Sequence, residues 1–220
     1  MHNLVRRSIT AFILGAILWV VFFWLPPWYF SALLVVILLE IICGEWKHLF
    51  NMANPFSWLL MPLYPITPFA MLILLNQDIC YRTLLIPLFS MVFSFDLGGY
   101  CIGSLFGKHK IAPRISPGKT WQGCLGGYLF SLASLYGLFW YQEAVPDHVF
   151  VLWFSLVVGV LATAGDLFES WLKRRAHIKD AGNLLPGHGG FLDRFDSAMF
   201  VAVFFYCWRS YLITIFGIFK

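Results

Sequence analysis

The sequence predicts an all-α polytopic membrane protein with about seven transmembrane helices and cytoplasmic active-site loops, and three observations carry that prediction. Hydrophobic residues make up 60% of the 220 positions and charged residues only 12%, about half the charged share of a soluble domain. Charge is missing from whole stretches: Ser8 to Leu39, Leu49 to Gln77, Thr83 to Phe95, Thr120 to Gln142 and Val149 to Gly165. Several are long enough to cross a hydrocarbon core, which takes roughly 20 apolar residues per helix. The remaining charge gathers in two stretches rich in glycine and proline.

Taken in order, the segments are Ile9 to Leu25, Trp28 to Gly44, Phe56 to Leu75, Leu84 to about Leu105, Trp121 to Tyr141, Phe150 to about Arg174, and Ser197 to Phe219. Ser8 to Leu39 is too long for one crossing. It carries Pro26-Pro27 in its middle, where proline removes backbone donors, so it reads as two helices and a tight turn. Arg6-Arg7 before an apolar run resembles a secretory signal, but no small-residue cleavage pattern follows, so the segment reads as a retained first helix. The five cysteines, Cys43, Cys80, Cys101, Cys124 and Cys207, lack the close spacing of a metal clip or redox pair and read as apolar filler.

Orientation follows from the cations. With the N-terminus inside, one side receives Arg6, Arg7, Lys47, Lys108, Lys110, Arg114, Lys119, Lys173, Arg174, Arg175, Lys179 and Arg194, and the other Arg82 and Lys220. The positive-inside rule then puts both polar stretches in the cytoplasm of a bacterial-type inner membrane. This distribution, more than the net charge of +4, fixes the partner class: a lipid bilayer and no nucleic acid. Arg209, inside the last segment, reads as snorkelling to an interface in preference to pairing with an intramembrane acid such as Glu40. The chain is a single integral membrane domain, residues 1–220, with N-terminal helices over 1–95 and the chemistry over 96–220.

The first polar stretch runs from Asp96 to Gly123. Gly99, Gly103 and Gly107 recur every four residues and form a smooth stripe for close helix packing. Asp96, near the membrane boundary, is either a buried salt-bridge partner or a site carboxylate, and both readings stand. Beyond the glycines, Lys108, Lys110, Arg114, Ser116 and Lys119 share a loop that Pro113 and Pro117 stiffen, which suits phosphate binding. A plain basic patch facing anionic lipid is the alternative. Gly118-Lys119-Thr120 is not a nucleotide-binding P-loop, since Pro113 occupies the position of the required first glycine.

The second stretch runs from Gly165 to Ser197. Asp166, Ser170 and Lys173 share one helical face at i, i+4 and i+7, while Lys173 and Arg174 also suit a helix C-terminus. Gly182, Gly187, Gly189 and Gly190 let the backbone fold tightly around a ligand, and Asp180, Asp193 and Asp196 offer the hard oxygens that magnesium prefers. Asp193 and Asp196 point the same way from the start of the last helix. Capping accounts for one such acid. It does not account for three interleaved with Lys179, His188 and Arg194, a combination that suits phosphoryl and nucleotidyl transfer.

Ser170-Trp171-Leu172-Lys173-Arg174, Lys179-Asp180 and the run Pro186-Gly187-His188-Gly189-Gly190-Phe191-Leu192-Asp193-Arg194-Phe195-Asp196 closely resemble the signature of the phosphatidate cytidylyltransferase family, without a mismatch. The upstream SPGKTWQG and DLGGYCIG resemble it too, so the similarity spans about the last 125 residues; the chain is shorter than many members. The resemblance implies transfer of a cytidylyl group from CTP to phosphatidic acid, with Mg2+ and a second cation allowed, at the cytoplasmic face. It implies Asp193, Asp196, Lys179 and Asp180 as catalytic residues and Asp166, Asp180, Asp193 and Asp196 as metal ligands. Lys119, Arg114, Ser116, Ser170, Lys173, Arg174, His188 and Arg194 would bind substrate, and a homodimer is allowed. The rival readings are a cytidylyltransferase for another lipid phosphate and an ion-coupled transporter.

Overall fold

The structure, a computed structural model, describes residues 15–49, 55–182 and 189–216. Its helices follow the apolar runs. Helix α1 covers 15–23 and breaks at Trp24 to Pro26. Pro27, which needs no partner for a missing N–H, then opens α2 (Pro27–Leu49). Next come α3 (Pro55–Gln77), α4 (Arg82–Phe106), α5 (Trp121–Tyr141) and α6 (His148–Arg175). The chain closes with α7 (Leu192–Cys207) and α8 (Arg209–Phe216), which meet at a bend of 89°.

Five of these helices are long and apolar enough to cross a membrane, or six if the bent α7–α8 pair is one span. The protein is therefore helical and polytopic. At 1.5 Å per residue α6 extends about 42 Å, some 12 Å more than a hydrocarbon core of about 30 Å, so about two of its turns exceed the apolar layer.

Three features depart from the sequence expectation. A short antiparallel hairpin, β1 (Lys110–Ala112) with β2 (Ser116–Thr120), stands between α4 and α5. The proline-stiffened loop is thus a paired ribbon, and Gln122 holds its entry by accepting from the N–H groups of Lys108 and His109, each at 3.2 Å. The last helix begins at Leu192 and not Ser197, because the N–H groups that open it find acceptors on Asp193 and on Glu45 of α2. That helix also does not run straight to its end. Arg209 sits at the bend, donating to the Tyr206 carbonyl at 2.8 Å and lying over the Tyr206 and Tyr81 rings. Among the described residues its partners are thus a carbonyl and two rings, not an acid such as Glu40.

Helix packing is closest where glycines meet. Gly99 and Gly103 of α4 face Gly123 of α5, as their spacing predicts, and one turn on Gly98 lies against the Gly126 carbonyl. Between α6 and α7, Gly165 packs on the Asp196 carbonyl. At the far end, Asn76 of α3 donates to the Pro27 carbonyl at 2.6 Å and to Ser31 of α2 at 2.9 Å. Phe69, Leu72, Leu88, Met199 and Phe205 fill the centre of the bundle, all fully buried.

Candidate active site

Each of these glycine contacts lies beside an acid. Gly98 and Gly99 follow Asp96, and Gly165 precedes Asp166 while touching the backbone of Asp196. Without a Cβ between them the helix backbones approach closely, so carboxylates from three helices arrive at one place. Asp96, Asp166, Asp193 and Asp196 all line a cavity of about 390 Å³, together with Lys119, Arg194, Gly118, Thr120 and Gly123.

The electrostatics are those of an acid cluster edged by cations. Asp166 and Asp96 stand close enough to Asp196 to interact with it repulsively, and Lys119 attracts it. Lys119, on β2, ion-pairs with Asp166 of α6 and so ties the hairpin to the cluster. The hairpin owes its position to Thr120, the last residue of β2, whose hydroxyl caps α5 by accepting from the Gly123 N–H at 3.1 Å. Gly118, Lys119 and Thr120 therefore form the end of a strand and a helix cap, consistent with the rejection of a P-loop. Ser170, buried behind Asp166, donates to Asp166 Oδ1 at 3.3 Å.

Asp193 is held from several sides. Its Oδ1 lies 2.6 Å from the Lys173 ammonium, while Oδ2 accepts from the N–H groups of Gly190 at 2.8 Å and Ala181 at 3.3 Å. Lys173 pairs in addition with Glu169, which is fully buried. Gly189, with φ of +79°, makes the turn that lets the chain double back onto Asp193; a Cβ there would stand 2.7 Å from Asp193 Oδ2.

The expected site residues thus divide. Lys119, Asp166, Asp193, Arg194 and Asp196 share the cavity, and Asp96, for which two readings stand open, lines it with them. Lys173 is turned to Glu169 and Asp193, and Arg174 ties α6 to the hairpin by donating to the Ile115 carbonyl at 3.1 Å. Arg114, Lys179 and Asp180 are exposed and Ser116 is half-buried, and none of the four lines the cavity. His188 lies outside the described residues. Two residues escaped the sequence reading. Glu169 hides behind the neighbouring basic run, and Glu45, one of two acids on α2, has its hydrogen-bond partners far along the chain.

A second cavity, of about 340 Å³ and almost wholly apolar, opens between α1, α2 and α4. Ile86, Phe89, Ser90 and Phe93 line it from α4. Their spacing of three and four residues continues on the same helical face to Asp96 and Tyr100 of the polar cavity. Phe195 of α7 also borders it, between the Arg194 and Asp196 that border the polar one.

Comparison with known proteins adds an independent line. A model of the cytidylyltransferase family matches residues 47–212, a span reaching upstream of the signature into α2. The phosphatidate cytidylyltransferase of Rickettsia prowazekii (strain Madrid E) is 33% identical over 192 residues, covering 83% of each chain. That of Rickettsia felis is 30% identical over 207 residues, 91% of this chain and 90% of the relative. The Bacillus subtilis (strain 168) protein of the same name is 44% identical over 117 residues, 53% of this chain and 43% of its own.

Proposed function

The chain belongs to the cytidylyltransferase family, and from that premise we propose that the acid-lined cavity between α4, α5, α6 and α7 is where it joins CTP to phosphatidate. The reaction, that of its named relatives, gives CDP-diacylglycerol and pyrophosphate. A phosphate oxygen of phosphatidate attacks the α-phosphorus of CTP. The bond from that phosphorus to the bridging oxygen breaks, and pyrophosphate leaves with the electron pair. The nucleophile is already an anion, so the protein's task is alignment and charge stabilisation more than proton removal.

The observation that carries this reading is the meeting of four carboxylates with Lys119 and Arg194 in one cavity. The two cations face charge that grows on the departing pyrophosphate. Acids beside them would repel a bare triphosphate, which is why a divalent cation belongs to the reading. The donor set fits Mg2+, since the cavity offers hard carboxylate oxygens, and this ion is commonly held by one or two carboxylates together with substrate phosphates. Among the described residues no three acids, histidines or cysteines are gathered as a metal site. One or two of Asp166, Asp193 and Asp196 would hold the ion; Asp180, exposed beyond α6, does not line the cavity. Bound there, Mg2+ supplies neutralisation of polyphosphate charge.

The cavity end of the bundle carries Lys47, Lys108, Lys110, Arg114, Lys119 and the Lys173 to Arg175 run, and the other end Arg82 and Arg209. By the positive-inside rule the cavity belongs to the cytoplasmic face. Phosphatidate would place its phosphate beside Asp96 and Lys119 and an acyl chain in the apolar cavity below. An ion-coupled transporter accounts less well for acids collected at one end beside exposed cations.

Purified protein given labelled CTP, phosphatidic acid and Mg2+ should release pyrophosphate and liponucleotide in equal amounts. Absence of CTP consumption under every divalent-ion condition would overturn the reading.

A further inference from the structure

Glu45 lies on α2, outside the cavity, and is 1% exposed. A buried carboxylate is costly unless it is hydrogen-bonded. Here both oxygens are: Oε1 accepts from the Phe191 N–H at 2.6 Å and Oε2 from the Leu192 N–H at 2.8 Å. These are consecutive donors at the start of α7, which has no side-chain cap of its own. The next donor back, Gly190 N–H, goes to Asp193. Glu45 and Asp193 together therefore account for three successive N–H groups that a helix start leaves without intrahelical partners, and the negative charge sits where the helix dipole favours it.

The fit is close on every side. A Cβ on Gly190 would run into the Glu45 carboxylate, and one on Gly182 would stand 2.9 Å from its Cγ. Glu45 closes a π-helical turn, Ile41–Glu45, within α2. Such a turn holds an extra residue and re-aims the side chains that follow. Two cavity acids, Asp193 and Asp196, lie one and four residues beyond Leu192, the second of the amides that Glu45 holds. Resting on the reading of those acids as metal-binding, we propose that Glu45 is a positioning residue that sets the first turn of α7, and so the placement of Asp193 and Asp196, without touching substrate.

The test uses the full chain in lipid nanodiscs, with Glu45→Gln, Glu45→Asp and, from the opposite side of the contact, Gly190→Ala. Glu45→Gln replaces one acceptor oxygen with a donor. Amide hydrogen exchange of the segment containing Phe191 and Leu192, measured without ligands, should accelerate about tenfold or more, the size expected for loss of one charge-assisted hydrogen bond. With Mn2+ alone as the probe, the dissociation constant should rise about tenfold. The rate at saturating CTP should fall by a comparable factor while KM for phosphatidate holds. Glu45→Asp should recover part of each change, and Gly190→Ala should reproduce the Glu45→Gln pattern. A variant that loses melting temperature with no local exchange change overturns the proposal, as does faster exchange with unaltered Mn2+ binding and rate. Failure of the unsubstituted protein to bind Mn2+ at all would instead overturn the cavity reading, and the proposal with it, even where the exchange result stands.

Discussion

The Lys173 ammonium lies 2.6 Å from Asp193 Oδ1 and pairs at the same time with Glu169, one turn back on its own helix. One cation thus joins two acids that are otherwise almost out of solvent, and neither acid has a comparable replacement. Removing one partner of a buried ion pair leaves uncompensated charge and costs about 3–5 kcal/mol. Lys173→Met should therefore lower the unfolding free energy by about that much, read from denaturant or thermal unfolding in detergent. Adding Glu169→Gln removes one stranded charge and should restore a sizeable part of the loss. If Lys173 instead served the triphosphate directly, the single variant would fold normally and show a raised KM for CTP.

Lys119 differs from Lys173 in having one acid partner and an open side facing the cavity. Lys119→Gln should leave folding intact and reduce kcat/KM for CTP by about 10²-fold, the scale seen when one donor to developing charge is lost. Lys119→Arg, which keeps the charge, should retain more activity. Steady-state kinetics with CTP varied at saturating phosphatidate make the comparison.

Asp196 sits at the closest approach of α6 and α7, and its Oδ1 accepts from its own following amide, Ser197, at 2.7 Å. Asp196→Asn preserves shape and can preserve that hydrogen bond, but it withdraws a negative ligand from the cavity. The expected result is a fall in kcat of about 10²-fold or more with an unchanged melting temperature. Turnover equal to that of the unsubstituted protein would remove Asp196 from the site.

What the sequence made readable follows from the range of the interactions involved. Helix spans are local in origin, set by apolar runs and broken by Pro26-Pro27, so they emerge from the chain directly. The cluster of acids with glycines was likewise visible, because Asp166, Asp193 and Asp196 stand near residues with matching chemistry. Glu45 carried no such signal: its partners, Phe191 and Leu192, are 146 and 147 residues away and contribute backbone N–H groups, which every residue has. The same cause displaced the start of α7, since its orphan amides are satisfied from another helix. Lys173 reads as a substrate-binding cation because its charge is evident in the sequence, while nothing there shows that its neighbour Glu169 is buried. The hairpin has no such local signal: each strand is short, β2 carries Pro117, and the pairings of Lys110 with Thr120 and of Ala112 with Ser116 are what make them strands.

The glycines of α4 offer a graded test of the close packing that delivers Asp96. A Cβ on Gly98 would stand 2.5 Å from the Gly126 carbonyl oxygen and 2.6 Å from Phe130 Cγ, whereas one on Gly99 would meet only the Gly123 carbonyl at an ordinary 3.6 Å. Gly98→Ala should destabilise by about 1–3 kcal/mol through overpacking against backbone that cannot give way. Gly99→Ala should stay within about 0.5 kcal/mol of the unsubstituted protein. Thermal unfolding of the two variants side by side reads the difference, and equal stability would mean that α4 and α5 are less closely apposed.

The apolar cavity makes a prediction about substrate tails. Ser90 lines it from the α4 face that reaches Asp96 six residues later, a rise of about 9 Å. An acyl chain attached to a phosphate at Asp96 would therefore have to pass Ser90 on its way down the helix. Ser90→Trp fills that depth with an indole while leaving the polar cavity untouched. Phosphatidate with long chains should lose about tenfold in kcat/KM, within the range that apolar pockets discriminate by chain volume. Phosphatidate with chains too short to reach Ser90 should be used as before, and KM for CTP should not move. A uniform loss across all chain lengths would show that the indole perturbs α4 itself, and no loss at any length would mean that the tails leave the protein by another face.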